Sequence, residues 1–220
     1  MLSLCNVMSG CKYIVVDTHL GILTAAVLER LGSSGSVIQV YTDPGPVTSY
    51  RQAVDALNFS KDHLENMLFG IQINQIYLLA NKSQEDAEKD STENSGTFSD
   101  ERSIRKEIRR IEAMKAKNVL KDKNLDGLLM IVKQHEPLNI IQLLFDYLSL
   151  SRPFAIYSPT IEPLISCFTN LKKKTVYLRI TETWMRKFQV LENRTRPEMT
   201  MTANGGYLLT GIKVEPFDNV

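Results

Sequence analysis

The residues whose types and spacing come closest to a ligand site are Asp17-Thr18-His19-Leu20-Gly21-Ile22-Leu23, which join an apolar β-branched run, Tyr13-Ile14-Val15-Val16, to a helical segment. In an open α/β sheet the first such turn takes a nucleotide-like cofactor, because glycines let the backbone approach it and the helix end offers free N–H groups. A D-x-G-x-G-x-G turn would place glycines at 19, 21 and 23. This chain keeps Gly21 and has His19 and Leu23 at the other two places. The second apolar strand ends on Tyr41, where a ribose-gripping site needs a carboxylate, and Asp43 comes two residues late. The turn reads as a disarmed cofactor site, or as an α/β core unit that never held one. The apolar run Leu125 to Val132 ends just as blankly on Ile131 and Val132, before Lys133, Gln134 and His135. No second titratable group is tied to His135 by sequence, so it reads as a loop histidine.

The elements that must position this turn form a β-α-β unit. Leu20, Leu23, Ala26, Val27 and Leu31 recur at helical spacing, Gly32 stops the helix, and Ser36 to Tyr41 reads as a second buried strand. A chain of 220 residues with 43% hydrophobic content holds one sizeable core, so a single domain over 1–220 is expected. The net charge of +1 gives no bulk attraction to nucleic acid, and any basic surface must be local. Cys5, Cys11 and Cys167 have no metal-like spacing with His19, His63 and His135, so no metal is expected and the thiols are expected free in a reducing compartment. No run approaches the roughly 20 apolar residues that span a bilayer, and no membrane partner is expected.

Further along, Thr42 to Pro46 reads as a turn and Thr48 or Ser49 as the cap of a helix through Tyr50, Val54 and Leu57. Ser60 opens a short helix stopped by Gly70, and Ile73 to Leu79 is expected to be a third strand. Residues 80–118 are expected to form a charged, partly disordered insertion, acidic at first and then basic. Within it Ile104, Ile108, Ile111 and Met114 mark one stripe of a helix that is expected to lie on the domain. The sharper alternative makes that helix a basic rail for a nucleic-acid backbone, with Arg105 and Arg109 as contacts. Helices over Leu138 to Leu148 and Ile161 to Phe168 flank a strand at Pro153 to Tyr157, and Lys172-Lys173-Lys174 suits a helix carboxyl end. Val176 to Trp184 alternates as a strand whose antiparallel partner is Gly206 to Val214. The polar and basic loop between them is long enough to be functional or disordered.

The tail R-I-T-E-T-W-M-R-K-F-Q-V-L-E-N-R-T-R-P-E-M-T-M from Arg179 to Met201, followed by G-G-Y-L-L-T-G-I-K-V, closely resembles the end of the eukaryotic tRNA adenine-58 N1-methyltransferase subunits. Y-S-P-T-I-E-P-L, from Tyr157 to Leu164, resembles the same family's segment after its fifth strand. The resemblance covers most of Lys12 to Val214 and leaves the acidic insertion unmatched. It implies a Rossmann-like methyltransferase fold: a mostly parallel seven-stranded sheet with helices on both faces and an antiparallel last strand. The family has a catalytic subunit that binds S-adenosylmethionine and a non-catalytic one that helps hold tRNA. His19 and Leu23, Tyr41 and Ile131 stand where the catalytic pattern needs glycines, an acid and an aspartate, which points to the non-catalytic kind, without a cofactor of its own.

The resemblance further implies a two-plus-two heterotetramer with the catalytic paralogue, tRNA as ligand, a nuclear location, and the absence here of the family's amino-terminal β-barrel domain, as in a fragment or short form. Arg186, Lys187, Arg194 and Arg196 are then the preferred tRNA-facing residues. Trp184, Phe188 and Tyr207 are the candidates for contact with the partner. The rival reading is an active S-adenosylmethionine-dependent RNA methyltransferase with a divergent cofactor site.

Overall fold

Alternation of apolar side chains along the short strands produces a sheet buried on both faces. The computed structural model describes residues 1–42, 48–81, 100–133, 135–184, 186–198 and 205–216. In β1 (Lys12–Asp17), Ile14 and Val16 face one core and Tyr13 and Val15 the other. β2 (Ser36–Tyr41), β4 (Gly127–Ile131) and β5 (Pro153–Ser158) divide their residues in the same way. With β3 (Leu68–Gln72) these strands are parallel, while β9 (Tyr207–Lys213) runs antiparallel between β5 and β6 (Thr175–Glu182). The order across the sheet is β3-β2-β1-β4-β5-β9-β6. A two-stranded hairpin, β7 (Phe188–Gln189) with β8 (Arg196–Pro197), follows β6.

α1 (Ile22–Leu31), α2 (Thr48–Ala56) and α3 (Lys61–Met67) put Leu28, Val54 and Met67 into one core. α4 (Ile73–Asn81), α5 (Asp100–Lys121), α6 (Pro137–Leu144) and α7 (Glu162–Leu171) cover the opposite face with Ile76, Leu120, Ile141 and Leu164. Those four aliphatic side chains have no exposed surface. Burying each contributes about 1.5–3 kcal/mol, so this layering is well determined energetically.

Three sequence expectations are corrected. The third strand is Leu68–Gln72, and the run from Ile73 is a helix instead. Gly70 does not end a helix; it lies within β3, where a Cβ would meet the Tyr41 hydroxyl at 2.3 Å. Ile73 and Ile76 are buried at a spacing of three, which is a helical period that the run of large apolar residues conceals. The second correction concerns α5, whose stripe does not lie on the domain: Ile108, Ile111 and Met114 are 50%, 43% and 53% exposed, while Ala116 and Leu120 are buried. Ile104 and Arg105 belong to the part of α5 whose side chains lie outside the described ones. Finally, β6 does not alternate throughout, because a bulge between Val176 and Arg179 holds Tyr177 at φ 52° with 83% of its surface exposed. Of the stretch 80–118, residues 82–99 lie outside the described residues, and residues 100–118 belong to α5.

A closed cofactor crevice and two basic surfaces

At the carboxyl end of β1, Asp17 is fully buried and turns its carboxylate onto the start of α1. One oxygen accepts the His19 N–H at 2.7 Å; the other accepts those of Leu23 at 2.7 Å and Thr24 at 3.2 Å. The first turn of α1, which could have bound an external anion, is thus satisfied from within. Burial pushes the Asp17 pKa up, and the backbone donors of His19, Thr24 and Leu23 pull against that rise. His19 and Leu20 are exposed at the turn, with Leu20 at φ 56° and Gly21 at φ 82°. Any residue with a Cβ at 21 would strike the Tyr50 carbonyl oxygen at 2.2 Å, so α2 lies directly against the one retained glycine. Leu23 is buried under the turn, in the core that α1 faces.

The end of β2 is tied down by Tyr41 together with side chains the sequence did not single out. Gln39, fully buried in an otherwise apolar strand, donates from Nε2 to the Tyr50 carbonyl at 2.7 Å and to Thr24 Oγ1 at 3.1 Å. Tyr41 packs its ring 5.1 Å from that of Tyr50, and its hydroxyl accepts Arg51 Nε at 3.1 Å. Arg51 then reaches α5 and grips Glu112 with two bonds, at 3.1 and 2.7 Å. Burial raises the Tyr41 phenol to about 12, with the Arg51 charge opposing the rise. Burial also works against the Arg51 cation, but the Tyr41 oxygen and the Glu112 carboxylate more than offset it and hold the pKa above its ordinary value. At the end of β4 the Thr18 hydroxyl donates to the Ile131 carbonyl and accepts the Lys133 N–H, both at 3.1 Å.

These residues do not fit a nucleotide-like cofactor. α2 lies on the glycine turn, side chains occupy positions 19 and 23, and the strand that should end in an acid ends in a phenol bonded to arginine. No methyl-transfer step is derivable from them. Asp43 lies outside the described residues. One cue was readable in the sequence, since a glutamine at 39 inside an apolar strand needs an internal partner. Arg51 and Glu112, 61 residues apart, carried no such mark.

The basic residues fall on two separate surfaces. Lys187, Arg194 and Arg196 are exposed on the β7–β8 hairpin, with Arg186 half-buried at its base. Arg109 is exposed on α5, which packs on β3 at the far edge of the sheet. β6, which leads into the hairpin, and β3, on which α5 packs, are the two edge strands of the seven-stranded sheet, about 30 Å apart at the usual interstrand spacing. Trp184 and Phe188 are 46% and 48% exposed beside the hairpin, whereas Tyr207 is partly buried against the core. His135 is half-buried in the loop before α6. Lys172 and Lys173, past the end of α7, border an open groove of about 600 Å³ floored by Leu138 and Ile165.

Residues 1–103 match the Gcd10p family. The tRNA (adenine(58)-N(1))-methyltransferase non-catalytic subunit TRM6 of Mus musculus is 29% identical across 97% of this chain and 54% of its own length. The subunit of the same name from Dictyostelium discoideum is 30% identical across 97% of this chain and 45% of its own length. The chain therefore spans about half the length of the curated relatives it matches. Among solved structures, a SAM-dependent O-methyltransferase of Thermotoga maritima superposes with a TM-score of 0.66 at 16% identity, covering 99% of this chain and 64% of the other. The tRNA (m1A58) methyltransferase TrmI of Aquifex aeolicus gives 0.59 at 18% identity, over 97% and 66%. At such identities the shared feature is the fold, a Rossmann-like methyltransferase sheet.

Proposed function

Since the chain is a relative of the tRNA (adenine(58)-N(1))-methyltransferase non-catalytic subunits and matches the Gcd10p family over residues 1–103, we propose that it acts as the non-catalytic, tRNA-binding and scaffolding subunit of such a complex. The observation that carries this reading is the crevice, in which, among the described residues, Tyr50 lies against Gly21 and the Tyr41-Arg51-Glu112 chain stands where a methyl donor would need a free carboxylate. In this reading the donor is held by the catalytic paralogue, and this chain supports formation of 1-methyladenosine without transferring a methyl group. The exposed cations of the hairpin, Lys187, Arg194 and Arg196, grip the tRNA backbone, a contact made through phosphate and shape rather than base sequence. Trp184, just past the edge strand β6, and Phe188, in the hairpin that follows it, are half-exposed aromatics that contact the partner subunit, together with the partly buried Tyr207. The two-plus-two assembly and the nuclear location rest on the family resemblance alone.

The test is to titrate the purified chain with S-adenosylmethionine by calorimetry and to assay methylation of a tRNA transcript by this chain, by its catalytic paralogue and by the co-purified pair. The expected outcome is no heat with this chain and methylation by the pair. Micromolar binding with turnover by this chain alone would establish an active enzyme with a divergent site and end the proposal.

A further inference from the structure

The outer face of α5 combines an apolar seam with mostly cationic charge. Ile108, Ile111 and Met114 are each about half exposed. At about 100° per residue they share one side of the helix, turned away from the Glu112, Ala116 and Leu120 side that meets the domain. Arg110, Lys117 and Lys121 run along one border of this seam. Lys115 lies within the same arc, between Ile108 and Ile111, and reaches back to the domain: its Nζ donates to the Glu65 carbonyl at 3.1 Å and lies 5.7 Å from the Phe69 ring centroid. Glu107, 4.0 Å from Arg110, is the one acid on this face among the described residues, because Glu112 is held by Arg51.

A single exposed aliphatic residue needs no explanation, but three in register on a helix make a contact surface. The cationic border selects what can cover it. A second copy of this chain would set the same cations against one another, and a nucleic-acid backbone would leave three aliphatic side chains facing phosphate. We propose that the outer face of α5 docks an acidic amphipathic helix of another protein, packing an apolar seam on Ile108, Ile111 and Met114 and placing carboxylates along Arg110, Lys117 and Lys121. The docking site is independent of the tRNA-complex reading, which rests on the crevice and on the opposite edge of the sheet.

The experiment uses the whole chain and three fluorescent probes: a synthetic helix of roughly 20 residues with a leucine seam flanked by glutamate, the same helix with lysine for glutamate, and a tRNA transcript. Anisotropy at physiological salt is expected to give micromolar binding of the acidic helix and at least about tenfold weaker binding of the lysine version. The pair Ile111→Glu and Met114→Glu, both at exposed positions, is expected to weaken the acidic helix about tenfold while leaving the thermal melt in place. Equal affinity for the two helices, or an acidic helix indifferent to the double variant, overturns the proposal. So does tRNA binding that falls with the double variant while the acidic helix fails to bind, which would assign the face to RNA. Changes confined to Arg194→Glu and Arg196→Glu report on the tRNA reading instead, so the two failures are distinguishable.

Discussion

The Arg51 guanidinium links three elements, and its removal tests how much of the closed crevice depends on one side chain. Arg51 and Glu112 are each 20% exposed, so their bonds are only partly screened by solvent. Arg51→Met is expected to lower stability by about 2–3 kcal/mol in urea denaturation, chiefly by leaving the Glu112 carboxylate without its donor. Combined with Glu112→Gln, the loss should fall short of the sum of the single losses by about 1 kcal/mol or more, as befits groups in direct contact. Asp17 gives a pH signature. Its pKa is raised by burial, so between the ordinary carboxylate value and the raised one the folded chain binds more proton than the unfolded chain. Its contribution to stability therefore falls as pH rises through that window. Asp17→Asn removes that slope, and the stability of the wild type minus that of the variant should shrink from acid toward neutral pH, measured by urea midpoints at several pH values. Spacing alone exposed His19, Gly21, Leu23, Tyr41 and Ile131 as departures from a working site. It could not say what stands in the cofactor's place, because Arg51 meets Glu112 only through the tertiary fold.

Helix α5 shows how far periodicity carries. Leu120 has no exposed surface and Ile108 is half exposed, so Leu120→Ala should cost about 2–5 kcal/mol and Ile108→Ala under about 0.5 kcal/mol, compared by the same denaturation series. The reverse ranking would put the Ile108 face against the domain. The sequence identified the helix and its apolar stripe but not the side that docks, since Glu112 is drawn inward by Arg51 and small Ala116 permits close approach to the sheet. The exchange of strand for helix at Ile73 has a related cause. A short apolar run satisfies both periods, and the deciding information lies in neighbours such as the Tyr41 hydroxyl beside Gly70. By contrast β1, α1, β2, β5 and the antiparallel pairing of β6 with β9 were legible, because each carries its own pattern and its own stop signal.

Across the whole sheet, cationic groups sit at both edges, so a tRNA spanning them would need a bridge of about 30 Å, within reach of a folded RNA but not of a short single strand. With the reconstituted pair, Arg194→Glu and Arg196→Glu together are expected to weaken tRNA binding about tenfold and to flatten its salt dependence by roughly one unit of slope per lost contact. An unchanged slope in a filter-binding series would remove the hairpin from the interface. The inward-turned carboxylate of Asp17 also has a bearing on how the chain is maintained in a cell. A protein that binds a metabolite only when folded is stabilised in proportion to the logarithm of that metabolite's supply. Here the first-turn donors of α1 already serve Asp17, so if the proposed reading holds, the heat resistance of the chain is expected to stay level through methionine starvation, as a thermal melt with and without added S-adenosylmethionine would check.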